Sequence, residues 1–141
     1  HLSLRRQRQM CIRDSVSMGR GTDKQFQIYG SPFLPKSDFS FTPGPNLGAK
    51  DPVHNGKVCY GEDLSGIPKV TNLQLKWLIK AFSETSDKKV FFNSFFSKLA
   101  GTQKLQQQIE SGLPETAIRK SWEKGLNSFK KMRTAYLIYE D

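Results

Sequence analysis

The hydrophobic period of the chain changes from alternation to helical spacing between Tyr60 and Thr71. Before that point the apolar residues alternate in short runs broken by Pro, Gly and Asn. After it they recur at helical spacing. Phe26-Gln27-Ile28-Tyr29 alternates, and Gly30-Ser31-Pro32 is expected to break it. Phe39-Ser40-Phe41-Thr42 alternates with both rings on one face and stops at Pro43-Gly44-Pro45. Gly56 to Tyr60 reads as a third strand after the Asn55-Gly56 turn signal, with a loop rich in Pro, Gly and Asn from Pro45 to Asn55. In the second half, Thr71-x-x-Gln74 is a capping-box pattern ahead of Leu75, Leu78, Ile79 and Phe82. A second stripe of Phe92, Phe95, Phe96 and Leu99 ends at Gly101, a residue suited to a helix terminus. Thr102 is placed to cap a third helix through Leu105 and Ile109 to Gly112. Pro114 suits the first turn of a fourth, through Ile118, Trp122, Leu126 and Phe129, with Gly125 as an interruption. Tyr136 to Tyr139 closes as a strand. The class is α+β: a small mixed or antiparallel sheet with about four helices.

With 141 residues the chain suits one domain rather than two. No run approaches the ~18 apolar residues of a membrane span, so none is expected. Net charge is +9, but Arg5, Arg6, Arg8 and Arg13 against Asp14 concentrate +3 in the first fifteen residues. The other 126 residues hold 18 basic and 12 acidic groups, a balance that solvated lysines explain. Nucleic acid is therefore not an expected partner. Residues 1–15 lack apolar periodicity, turn chemistry and a cap. They read as a non-native leader, the translation of a sequencing adapter, with the domain running from 16 to 141. The chain starts at His1 without an initiator methionine, which reads as a piece of something larger.

Site chemistry narrows quickly. Cys11 falls in the leader, leaving Cys59 between Val58 and Tyr60 as a small buried hydrophobe. His54 is the only histidine after His1, so neither a metal site nor a Ser/His/Asp arrangement can be assembled, and no cofactor is expected. Gly19-Arg20-Gly21-Thr22 is the strongest candidate site. Its glycines allow a tight turn near an oxygen-rich ligand, its arginine fork can hold a carboxylate, and Thr22 adds a hydroxyl. It is no phosphate loop, because the Gly-Lys-Ser/Thr ending is missing. Glycoside hydrolysis needs two suitably spaced carboxylates. Asp23, Glu62 and Asp63 are weak candidates, while Glu84, Asp87, Glu110, Glu115 and Glu123 fall on helix surfaces or ends. No catalytic pair is assignable in the chain itself.

Several separated segments then resemble one family. They are Val16 to Phe33 with its Ser-x-Gly-Arg-Gly-Thr centre, Cys59-Tyr60-Gly61, and Phe96-Ser-Lys-Leu99-Ala-Gly-Thr102. The pattern continues in Ile109-Glu-Ser-Gly112, Ile118-Arg-Lys-Ser-Trp122 and Phe129-Lys-Lys-Met-Arg133-x-x-Tyr136-Leu-Ile-Tyr139. Together they resemble the C-terminal part of the NamZ-type exo-β-N-acetylmuramidases, bacterial enzymes of peptidoglycan turnover. The resemblance implies the smaller domain of a two-domain glycosidase whose Rossmann-like N-terminal domain, with most of the catalytic carboxylates, is missing here. It implies release of N-acetylmuramic acid from the non-reducing end of cell-wall fragments, outside the cytoplasm, by the complete protein and not by this piece. In relatives a Glu-Gly-Thr-Asn-like segment precedes the arginine turn; here Cys11 to Ser15 stand there. The muramic acid lactyl carboxylate suits Arg20, with Ser17, Gly21 and Thr22 around it and Asn46 and Tyr60 as further substrate contacts. The alternative is a non-catalytic module that binds cell-wall glycan.

Overall fold

The computed structural model describes residues 15–68 and 71–137. Three strands form an antiparallel sheet: β1 (Ile28–Ser31), β2 (Ser40–Phe41) and β3 (Cys59–Asp63), in the order β1-β3-β2. Four helices follow among the described residues: α1 (Lys76–Glu84), α2 (Phe96–Ala100), α3 (Lys104–Glu110) and α4 (Glu115–Thr134). This is the α+β class that the change of period implies.

β1 does not break at Gly30. It runs on through Ser31, and Gly30 lies opposite Gly61 in the ladder with β3. Phe26, expected to start the strand, instead has φ +62 and belongs to the turn before it. The paired glycines explain the error. A Cβ on Gly61 would sit 1.9 Å from the Tyr29 carbonyl oxygen, so the two backbones meet at a distance only glycine permits. β3 is likewise shifted, starting at Cys59 because the His54–Gly56 turn, with Lys57 N–H bonded to the His54 carbonyl, uses the preceding residues.

The helical half is organised by rings. Phe91 and Phe96 are each 2% exposed, and Phe82, Phe91, Phe92 and Phe96 form successive contacts with centroids 4.4 to 5.4 Å apart. Burying each such side chain contributes roughly 2–3 kcal/mol. Leu75, Leu78 and Phe82 on the α1 stripe join Ile109 of α3 and Ile118 of α4 in the same core, with Tyr29 and Leu34 from the sheet side.

Several local expectations fail for identifiable reasons. The Thr71 hydroxyl bonds to the Asn72 side chain, and α1 begins after Leu75 with no side-chain cap, so no capping box forms. α2 starts at Phe96 rather than Phe92, because Asn93 Oδ1 accepts from the N–H groups of Phe95 (3.0 Å) and Phe96 (2.9 Å), an Asx turn that stops helix extension backwards. Gly101 does end α2, at φ +72. The Thr102 hydroxyl accepts from Lys104 N–H at 3.1 Å, one residue ahead of Gln103, the N-cap of α3. Pro114 occupies the N-cap position of α4, and Gly125 leaves that helix unbroken. The fourth stripe is buried only at its beginning: Ile118 is enclosed, whereas Leu126 and Phe129 are about half exposed. Tyr136 lies in a turn after α4, and Ile138 and Tyr139 of the expected closing strand fall outside the described residues. So do residues 1–14 of the leader. Ser15, its last residue, is buried and donates to the Val90 carbonyl.

Candidate functional site

The arginine turn is built almost wholly from backbone bonds. Ser17 exchanges both main-chain bonds with Gly30 (2.7 and 2.9 Å), which ties the entry of the turn to β1. Phe26 N–H reaches back to the Met18 carbonyl at 2.8 Å and closes the loop. Inside it, the Thr22 hydroxyl donates to the Gly19 carbonyl (2.7 Å) and accepts from Lys24 N–H (3.2 Å). Gly21, at φ +83, receives a bond on its carbonyl from Gly44 N–H at 2.9 Å. A Cβ there would lie 2.4 Å from the Gly44 carbonyl oxygen and 2.7 Å from the Pro52 ring, so this position requires glycine for space as well as for φ.

A second loop meets the first. Asn46 Oδ1 accepts from Gly48 N–H (3.0 Å) and Ala49 N–H (2.8 Å), and Asn46 and Ala49 exchange main-chain bonds as well. That turn presents the Gly48 carbonyl to Arg20 Nη2 at 3.2 Å. A guanidinium carries five N–H donors in a planar fork. Arg20 is exposed, and this one bond steadies the group while leaving donors for an anion.

Five of the six candidate residues thus meet: Ser17, Arg20, Gly21, Thr22 and Asn46. Their parts differ. Ser17 is 2% exposed beneath the turn, and its hydroxyl has no hydrogen bond among the described residues. Thr22 and Asn46 use their polar atoms to hold the loops. Arg20 is the group offered to solvent. Tyr60 is not in this cluster. Strand alternation puts it on the sheet face of Tyr29 and Glu62, opposite Ile28 and Cys59. The Ile28 side chain lies against Gly19, so the turn covers that other face.

Two residues that sequence reasoning gave no part in the site help to hold it. Lys24 leaves the turn and pairs with Asp63 on β3 at 2.5 Å. Bonds from Lys24, then from the Ser65 side chain and N–H, hold the Asp63 carboxyl down at about 2. Pro52 packs against Gly21. The signal for Pro52 was faint, one proline in a loop rich in them, and Lys24 looked like any solvated lysine. On the opposite face, Glu62 pairs with Lys80 of α1, a bond that raises the lysine's pKa. Burial, then the nearby Glu62 and Glu84 charges, pushes the Tyr29 phenol well above its ordinary range. Burial alone pushes the Cys59 thiol up to about 11, which keeps it protonated and inert at neutral pH. Among the described residues no three His, Cys, Asp or Glu side chains gather as a metal site would need, and no helix is long and apolar enough to cross a membrane.

Residues 9–139 match the family model described as the C-terminal part of the exo-β-N-acetylmuramidase NamZ. The chain is 30% identical to the peptidoglycan β-N-acetylmuramidase NamZ of Bacillus subtilis, over 89% of its own length and 34% of that protein's. A crystal structure of a DUF1343 family protein from Bacteroides fragilis superposes with a TM-score of 0.83 at 35% identity, covering 89% of this chain and 37% of that one. The chain thus spans about a third of each relative.

Proposed function

The chain belongs to the NamZ C-terminal family of glycoside hydrolases, and from that premise we propose that it serves as the smaller domain of an exo-acting muramidase. The complete protein releases N-acetylmuramic acid from the non-reducing end of peptidoglycan fragments, outside the cytoplasm. Its larger domain supplies the catalytic carboxylates, and this piece alone does not turn substrate over.

The observation that carries this reading is the Arg20 fork on its paired loops. N-acetylmuramic acid differs from its neighbour in the glycan by a lactyl carboxylate. An exposed guanidinium, steadied by one carbonyl and backed by turns of fixed shape, is complementary to that group. Lys24 does not compete for it, being paired with Asp63. Two acids of β3 are already engaged by lysines. Asp63 is held ionised by Lys24, and Glu62 is bound to Lys80 on the other face. Asp63 thus does not match the need for a carboxyl that keeps its proton near neutrality.

The test is release of N-acetylmuramic acid from a muramyl-terminated disaccharide by the chain alone and by the complete two-domain protein. Release by the complete protein only is the expected result. Release by the 141-residue chain would place the catalytic pair within it and overturn the division of labour. No release by either would remove the hydrolase assignment.

A further inference from the structure

The helical half contains a cleft that the arginine turn does not share. It has a volume of about 410 Å³ and lies between the start of α2 and one face of α3. That size falls within the ~300–1,000 Å³ typical of small-molecule sites. Gln103, Gln106, Gln107 and Glu110 recur along α3 at spacings that bring them to one side, where an amphipathic helix would ordinarily be solvated. Opposite stand the half-buried Phe92 ring and the side chains of Asn93 and Ser97.

The chemistry of these walls is selective. Among the described residues no lysine or arginine lines this cleft. The one ionisable group among the described residues that line it is Glu110, which accepts from Gln106 Nε2 at 2.8 Å. The site therefore offers no positive charge to an anion, and Glu110 disfavours one. Gln103 and Gln107 contribute amides that make no hydrogen bond among the described residues, and each amide both donates and accepts. Phe92 is fixed by its neighbours, with the Phe96 centroid at 4.4 Å and the Phe82 ring stacked at 5.4 Å. A rigid aromatic wall beside paired donors and acceptors suits a ligand with an apolar ring face and a rim of hydroxyl and amide groups.

We infer that this α2–α3 cleft is a second saccharide site, which takes an uncharged N-acetylhexosamine unit of the glycan. It is distinct from the Arg20 turn, whose guanidinium suits a carboxylated sugar. The inference rests on the proposed function only for the source of the sugar. The cleft's amide-rich walls, with Glu110 as the ionisable group, stand independently of it.

The test is a titration of the 141-residue chain with an oligomer of N-acetylglucosamine, followed by the side-chain NH₂ signals of glutamine in ¹⁵N-correlated spectra. Gln103 and Gln107 are exposed, so Gln103→Ala with Gln107→Ala leaves the core untouched. The expected result is a saturating shift of both amide signals, with binding at least about tenfold weaker in the double variant. Glu110→Gln should bring a muramic-acid oligomer closer to the neutral one in affinity at this site. A cell-wall stem peptide should leave the two amides unmoved. Absent shifts, undiminished binding in the double variant, or a response to the peptide instead of the sugar would each overturn the inference. Arg20→Ala should leave the neutral-sugar response intact, so failure of the carboxylate reading is distinguishable from failure of this one. Loss of the response in Arg20→Ala would show a single site and also overturn it.

Discussion

The two halves of the molecule hold their shape by different means. From Ser15 to Asp63, position is set by main-chain bonds, positive-φ turns and glycines pressed against neighbouring backbone. From Thr71 onward it is set by rings and aliphatic side chains packed at helical spacing. A side-chain core tolerates a range of shapes of similar volume. A backbone-built loop tolerates very few, since its carbonyls have nowhere to move. That is a reason for an anion-holding arginine to sit on the first kind of structure. Its fork must be aimed, and the turns around Arg20 aim it without relying on a deep core.

The largest test of this contrast is in the helical half. Phe91→Ala should cost about 3–5 kcal/mol in denaturant unfolding of the chain, while the exposed Phe95→Ala should change it by roughly 0.5 kcal/mol or less. Equal losses at both would mean that the ring cluster is not the core. Next comes a pair of identical changes with opposite signs. Gly21→Ala forces a Cβ into the Gly44 carbonyl at positive φ and should destabilise by about 1–3 kcal/mol. Gly125→Ala, in the middle of α4 with open space around it, should stabilise by about 0.5–1 kcal/mol. If both behave alike, the turn is not constrained as described.

Smaller effects sharpen the picture at the sheet. The carboxyl of Asp63 is lower in the folded chain than in the unfolded one. Its contribution is therefore present above the ordinary carboxylate pKa of about 4 and is lost as pH falls through about 2. Asp63→Asn should flatten that part of the acid stability curve only slightly, an exposed pair being worth little. Cys59 runs the other way. Its thiol is higher in the folded state, so the stability it confers is complete below the unfolded value and declines as pH rises toward about 11. At neutral pH a thiol reagent should label it only at the rate of unfolding, and rapid labelling would contradict its burial.

The helical half was the more legible in sequence. Leu75, Leu78, Phe82, Ile109 and Ile118 announce their burial by spacing alone, and the structure encloses each of them. What spacing could not give was where α2 begins, because Asn93 decides that through a side-chain bond that competes with the helix. In the sheet half the types of residue were informative and their partners were not. Gly30 looked like a breaker because its counterpart, Gly61, is far away in the chain. The meeting of Arg20 with the Gly48 carbonyl, 28 residues on, leaves no periodic trace either. The candidate residues were found by type and by resemblance. Their division into loop-holding groups (Thr22, Asn46) and an offered group (Arg20) became visible only in three dimensions.

That division leads to the most direct test, the kinetics of Arg20→Ala and Arg20→Lys in the complete protein. Each would be assayed on a muramyl substrate and on its counterpart lacking the lactyl group. If Arg20 holds the carboxylate, Arg20→Ala lowers kcat/KM about 10- to 100-fold on the muramyl substrate, as loss of a charged hydrogen bond worth ~1.5–3 kcal/mol requires. Arg20→Lys recovers part of the loss, and the lactyl-free substrate is barely affected. Equal losses on both substrates, or none on either, would contradict the carboxylate role and leave Arg20 as a brace between two loops.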